Sequence, residues 1–323
     1  MKYENRTVYR NTEIKTILFI SYPFLSDPRY FLRDFPVEKS RKGTEREGAL
    51  PDYMSKGFLK SGFFVFRNSW GMDATQMVVK AGPKGFWHCQ PDNGTFEMWF
   101  NGKNLFPDSG SYVYAGEGEV MEQRNWHRQT SVHNTVTLDN KNLETTESVT
   151  KLWQPEGNIQ TLVTENPSYK NFKHRRSVFF VDNTYFVIVD EVSGSAKGSV
   201  NLHYQMPKGE IANSREDMTF LTQFEDGSNM KLQCFGPEGM SMKKEPGWCS
   251  TAYRKRYKRM NVSFNVKKDN ENAVRYITVI YPVKKSADAP KFDAKFKNKT
   301  FDENGLEIEV KVNGKKQSLK YKL

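Results

Sequence analysis

At 323 residues the chain is long enough for one large domain or two modest ones with a real core. Its 49 lysines and arginines against 38 acidic residues give a formal charge of +11, which favours an anionic partner without choosing among nucleic acid, membrane surface and acidic polysaccharide. Zinc-finger spacings, heptads and RNP motifs are missing, which argues against a nucleic-acid module, and no apolar run approaches the roughly 20 residues of a membrane span.

Residues 1–56 read as an irregular lead. Pro23, Pro28, Pro36 and Pro51 punctuate them, and the run Glu38 to Glu47 is charged throughout, so they are poorly suited to a core of their own. The apolar patch around Ile17 to Tyr22 is too short, and lacks the small-residue cleavage site, for a signal peptide. From Gly57 onward the pattern is β-type, and no later segment carries a sustained helical period. Phe63 to Arg67 and Gln76 to Lys80 read as short strands. Thr95 to Phe100 and Lys103 to Phe106 flank Asn101-Gly102, the favoured two-residue turn pair.

Thr135 to Leu138, with the segment after Asp139-Asn140, reads as another hairpin, and Ser148 to Thr164 adds further strand. In Arg176 to Val192 two nearly continuous Val/Ile/Phe runs flank Asp182-Asn183, which predicts central strands buried on both faces. Phe220 to Phe235, Met260 to Val266 and Ala273 to Tyr281 continue the series. The C-terminus alternates through Ile308, Val310 and Val312, turns at Asn313-Gly314 and returns through Leu319, Tyr321 and Leu323. Many short strands joined by hairpins predict an all-β fold, a large antiparallel multi-sheet β-sandwich over residues 57–323, with a subdivision near 207–209.

Chemistry-bearing residues concentrate in residues 85–114. His88 and Gln90 share one face of an extended backbone, and few core strands carry His, Gln, Asp and Asn within six residues, because each buried polar group needs a partner. An imidazole titrates near pH ~6.5, so His88 is suited to general acid or base work or, protonated, to steadying negative charge. Asp108 and His133 join Gln90 as a carboxylate, an imidazole and an amide oxygen, a set able to hold a metal. The blander readings are a turn-forming Asp108 and a structural, neutral His133. His127, His174 and His203 read as structural.

Basic residues gather at Lys173-His174-Arg175-Arg176 and at Arg254 to Arg259. Solvated hairpin ends are one reading; a cationic wall for sulfates or carboxylates is the other, with Arg254, Arg256, Arg259 and Tyr257 as substrate-binding candidates. Three widely spaced cysteines, Cys89, Cys234 and Cys249, support neither a disulfide scaffold nor a thiolate metal site, and one bridge between Cys234 and Cys249 stays open. No Gly-rich phosphate loop or G-x-S-x-G elbow is present.

The stretches SGFFVFRNSW (61–70), GFWHCQPDNGTFEMWFNGKNLFPDSGSYVY (85–114) and SVHNTVTLDN (131–140), supported by PGWCSTAYRKRYKR (246–259), resemble the heparinase II/III group of polysaccharide lyases, in particular its heparin-sulfate lyase branch. The resemblance implies a periplasmic enzyme that cleaves heparan sulfate, an acidic glycosaminoglycan, by β-elimination. It also implies an α/α toroid preceding the β-sandwich, to which this chain is not similar. His88 matches the family's β-domain catalytic histidine. Gln90, Asp108 and His133 fall where related lyases place metal ligands. Where relatives often carry His-x-His this chain has His88-Cys89-Gln90, and an amide oxygen there suits calcium better than zinc. The rival reading is a non-catalytic binding module for sulfated or acidic polysaccharide.

Overall fold

The computed structural model describes residues 50–83 and 89–323. Most of the expected lead, together with His88, lies outside the described residues; what is described of the lead, from Leu50, carries no strand until Lys56. Five strands then form a meander: β1 (Lys56–Phe58), β2 (Phe63–Arg67), β3 (Thr75–Lys80), β4 (Phe96–Phe100) and β5 (Lys103–Asn104), all paired antiparallel in chain order. At the β4–β5 turn Asn101 and Gly102 both take positive φ, 48° and 78°, the geometry that an Asn-Gly pair adopts at little cost.

Among the described residues one α-helix interrupts the strands, α1 (Gly118–His127), followed by a 3-10 turn at Thr130–Val132. No helix was expected here, because α1 buries only His127 and so carries no apolar stripe to read. Side chains from other segments hold it: Gln123 accepts from Arg256 Nη1, and His127 stacks on Tyr112 at 5.8 Å.

Next come β6 (Val136–Leu138), β7 (Val149–Gln154), β8 (Ile159–Tyr169), β9 (Phe172–Val181), β10 (Tyr185–Ser193), β11 (Gly198–Gln205), β12 (Ile211–Ser214), β13 (Thr219–Thr222) and β14 (Asn229–Phe235). The long hairpin β15 (Ser241–Ala252) and β16 (Lys255–Lys268) leads to β17 (Val274–Val283), and the chain ends in β18 (Phe292–Phe296), β19 (Gly305–Val312) and β20 (Lys315–Lys322). β6 does not close a hairpin after Asp139-Asn140. It pairs instead with β11, Leu138 opposite Val200, and a strandless segment follows it.

An eight-stranded sheet, ordered β12-β13-β14-β17-β10-β9-β8-β7, is the centre of the fold. Side chains alternate across it, as the two-residue period requires. Phe180, Phe186 and Ile188 face a core shared with the first sheet and with a four-stranded sheet ordered β15-β16-β11-β6. Phe179, Val187 and Val189 face the opposite way, onto Leu306, Ile308, Val310 and Leu319 of the three-stranded sheet β18-β19-β20. Burial on both faces explains the nearly continuous apolar runs. The stacked antiparallel sheets are the architecture the strand pattern predicts.

The β9–β10 connection is one residue longer than the Asp182-Asn183 pair suggests: Val181 lies opposite Tyr185, leaving three residues in the turn. That register sets Arg175 against Glu191 and Arg176 against Asp190. All four are buried, so this basic run is neither a solvated hairpin end nor a cationic wall. Cys234 and Cys249 are free thiols, and no bridge joins them.

Candidate functional site

The β4–β5 hairpin folds the chain back on itself, so that Asn104 Nδ2 donates to Glu97 at 2.5 Å and the Asp108 amide reaches the same carboxylate at 3.3 Å. Asp108 does form a turn: its Oδ1 accepts from the Gly110 amide at 2.7 Å. Its other oxygen, Oδ2, stands 3.3 Å from His133 Nε2. His133 is only 1% exposed, and its Nδ1 lies 2.8 Å from the Gln129 carbonyl. A carbonyl accepts only, so Nδ1 carries a proton, and whenever the ring is neutral Nε2 turns a lone pair toward a carboxylate. The contact has the length of an ion pair without the angle of a hydrogen bond, and Nε2 is left without a hydrogen-bond partner.

Burial works to keep His133 neutral, but the Asp108 carboxylate beside it outweighs burial and raises its pKa. Burial likewise works to raise Asp108, and is outweighed by His133, the Gly110 amide and Arg259, so this carboxyl sits well below the usual range. Glu97 takes the opposite course, pushed up to about 7 by burial and then by the Asp108 charge.

Gln90 lies on another segment. Arg128 Nη2 donates to the Cys89 carbonyl at 2.7 Å and Thr130 Oγ1 donates to the Pro91 carbonyl, binding residues 89–91 to the turn that leads into His133. Gln90 Oε1 is buried and has no hydrogen-bond partner. No strand covers residues 89 and 90, so the shared strand face expected for His88 and Gln90 does not extend through them. Among the described residues no group of three His, Cys, Asp or Glu side chains gathers to hold a metal. The donors present here are one carboxylate, one imidazole and one carboxamide.

Two buried arginines brace these segments. Arg259, 6% exposed, donates to the Pro107 carbonyl and, at 2.6 Å, to Ser109 Oγ, from a strand about 150 residues further along. Its guanidinium thus serves internal acceptors and is not open to solvent. Arg176 forks onto Asp190 at 2.7 and 3.1 Å, and its Nη1 reaches the carbonyls of Gly94 and Asn134 at 2.5 Å each. It therefore pins both the approach to β4 and the residue after His133.

The β15–β16 hairpin tip lies alongside. The Ser250 amide donates to Ser109 O and the Arg254 amide to Tyr112 O, both at 2.9 Å. Arg256 is stacked between Trp248, at 4.0 Å, and Tyr112, at 5.2 Å. Tyr257 is half-buried, and burial pushes its phenol well up. Of the four substrate-binding candidates, Arg254 is the exposed one, next to Tyr253. Glu97, Arg128 and Asp190, and the internal role of Arg176, escaped sequence reasoning. For the last two the signal was present, in Asp190-Glu191 mirroring Arg175-Arg176 across a hairpin.

Residues 51–295 match the family described as heparinase II/III-like, C-terminal. The chain is 89% identical over 278 residues to a heparin-sulfate lyase of Bacteroides stercoris, covering 86% of this chain and 42% of that protein. It is 36% identical over 292 residues to a heparin-sulfate lyase of Pedobacter heparinus, covering 88% and 44%. A solved heparinase III superposes with a TM-score of 0.89 at 86% identity, over 97% of this chain and 52% of that one. The heparan sulfate lyase structure from Pedobacter heparinus gives 0.82 at 33% identity, over 96% and 47%. The chain thus spans about half the length of the curated relatives it matches. With three quarters of its residues under one family description, the chain belongs to the heparinase II/III-like C-terminal family.

Proposed function

We propose that this chain is the β-sandwich half of a heparan-sulfate lyase that cleaves its glycosaminoglycan by β-elimination. The observation that carries the reading is 89% identity to a heparin-sulfate lyase across most of this chain and under half of that protein. β-Elimination removes the proton α to a uronate carboxylate and breaks the bond to the 4-linked sugar, leaving an unsaturated uronate end. The carboxylate must be neutralised and the departing oxygen protonated. In this reading His88 contributes acid–base or charge-steadying chemistry, while the asparagine and tyrosine that the resemblance assigns to a toroid act from that half. A periplasmic setting is part of the same proposal and rests on the resemblance alone.

The donor types of Gln90, Asp108 and His133 are ones that a divalent cation accepts. Gln90 Oε1 is buried without a partner, and His133 Nε2 stands 3.3 Å from Asp108 Oδ2; a cation is one group that such donors would accept. Two oxygens and one nitrogen suit calcium or zinc, with the amide oxygen favouring the harder ion. A cation held there would supply fixed positive charge that orders the site. Gln90 would then anchor the main chain two residues beyond His88, and Asp108 the loop bonded to the β15–β16 tip. The exposed Arg254, with Arg256 beside it, faces solvent where an anionic chain would pass.

The test is reconstitution. The chain alone is expected to form little unsaturated uronate from heparan sulfate, read by ultraviolet absorbance, and addition of the N-terminal half of the Bacteroides stercoris relative to restore turnover. His88→Ala is expected to abolish the restored turnover. Robust activity from the isolated chain overturns the need for a second half. Unchanged glycan affinity with no turnover under any pairing would instead identify a binding module.

A further inference from the structure

The three-stranded sheet presents one face to the core and the other to solvent, and the two are chemically opposite. Inward lie Leu306, Ile308, Val310, Leu319 and Tyr321. Outward, the same alternation sets Lys295 and Lys297 on and just after β18, Lys311 on β19, and Lys316, Lys320 and Lys322 on β20. Three carboxylates share this face, and two of them are ion-paired. Asp293 holds Lys311 at 2.8 Å, Glu309 holds Lys297 at 3.2 Å and Lys295 at 3.5 Å, and Glu307 accepts from Ser318 Oγ at 3.4 Å.

The face therefore keeps an excess of positive charge, six lysines against three carboxylates, although Glu307 stands in register opposite Lys320. Among the described residues Lys316, Lys320 and Lys322 make no ion pair within 4 Å, and Lys316 stands in register opposite another lysine, Lys311. Like charges opposed across strands cost stability. From Lys316 to Lys322 the strand rises six times by about 3.4 Å, so the row spans roughly 20 Å.

We propose that this lysine face binds a sulfated glycosaminoglycan chain at a second site, away from the candidate active site. The inference rests on the substrate class proposed above. The two sites lie toward opposite faces of the eight-stranded sheet: β4 and β6, which flank the first, pack in the core on one side, and β18–β20 cover the other. The chemistry of the face selects the ligand. No aromatic ring lies outward on β18–β20 for a base to stack on, and no apolar side chain is there to enter a bilayer. Ammonium groups in a straight row suit a linear chain of sulfates and carboxylates, held by point charge and released counterions. Such a face would retain a long polymer between cleavages while the other site releases product.

β20 is also an edge strand, and lysines on edges deter strand pairing between molecules. The experiment separates these roles. Binding of the intact chain to heparin is measured over a series of salt concentrations for the parent, for K316Q/K320Q/K322Q, and for K60Q/K141Q/K197Q, which removes the same charge from scattered exposed lysines. Each contact contributes about 0.7–0.9 to the slope of log K against log salt for the polyanions where this is known. The β20 variant is expected to lower the slope by about 2–3 and the scattered variant by less than about 1. A β20 variant that shifts no further than the scattered one, or that self-associates while binding heparin as the parent does, overturns the proposal. A parent chain that does not bind heparin at all removes the substrate class, which is a different failure. Matching melting temperatures for the three proteins exclude misfolding as the cause.

Discussion

Asp190→Asn tests what holds the site's frame. Asp190 is fully buried, takes both arms of the Arg176 guanidinium at 2.7 and 3.1 Å, and lies 2.7 Å from His174 Nε2. Burial acts to raise its carboxyl, yet Arg176 and His174 hold it at about 2 against an ordinary 3.8. That difference amounts to about 2.5 kcal/mol in favour of the charged form, after its desolvation has been met. The amide retains the shape but leaves the guanidinium buried without its counter-charge, for which about 3–5 kcal/mol is expected. Set against a typical total of about 5–15 kcal/mol, that is a large loss. Urea unfolding followed by tryptophan fluorescence measures it. The companion double variant R176M/D190L removes both charges and is expected to be more stable than Asp190→Asn alone. A loss below about 1 kcal/mol, or a double variant worse than the single, would show that the pair is not the brace inferred here.

Gly110→Ala addresses the loop that carries Asp108. Gly110 has φ of 72°, and a Cβ there would lie 2.2 Å from the Ser250 carbonyl, so a loss of about 2 kcal/mol or more is expected in thermal unfolding, and parent-like stability would contradict the close approach. Calcium or zinc is expected to raise the melting temperature of the parent and not that of Asp108→Asn; equal shifts in both would place the cation elsewhere. The pH dependence follows from the buried histidines. His203 is held down to about 3 by burial and then by His133, and His174 and His127 are lowered chiefly by burial. A histidine depressed on folding stabilises fully above its unfolded pKa of about 6.5 and loses that contribution as pH falls toward its folded value, so His203 alone withdraws about 2 kcal/mol by pH 5. His133, raised on folding, has the opposite sign and loses nothing over that interval. Urea midpoints are expected to fall between pH 7 and 5, and a flat profile would mean that these rings are solvated.

What the sequence disclosed follows from the range over which each interaction acts. Turn pairs and two-residue alternation are local, and Asn101-Gly102 and Asn313-Gly314 stand as two-residue turns between Phe100 and Lys103 and between Val312 and Lys315. At Asp182-Asn183 the same signal misleads by one residue. A two-residue turn would set Arg176 opposite Val189, whereas the observed three-residue turn sets it opposite Asp190. That single turn therefore decides which residues face Arg175 and Arg176 across the hairpin, and with it whether the two buried guanidinium groups meet carboxylates. Helix α1 was illegible for another reason: it buries a single side chain, and its ties run to Tyr112 and Arg256, not along itself.

Asp108, His133 and Gln90 could be named from the sequence as donors, but nothing local indicates what supports them. The supports come from far along the chain: Arg259 reaches Pro107 from 152 residues away and Arg176 reaches Gly94 from 82. Both arginines end on backbone carbonyls, which every residue possesses, so no pairing of residue types betrays them. Each of these contacts fixes main chain next to a donor, Pro107 before Asp108 and Asn134 after His133. A carboxylate and an imidazole lone pair held 3.3 Å apart repel unless a proton or a cation lies between them, and two buried guanidinium groups anchoring the adjacent backbone keep the pair from relaxing apart. The frame thus maintains a demand for positive charge at this point, and the residues that create the demand are ones whose identity a linear reading assigns to the surface.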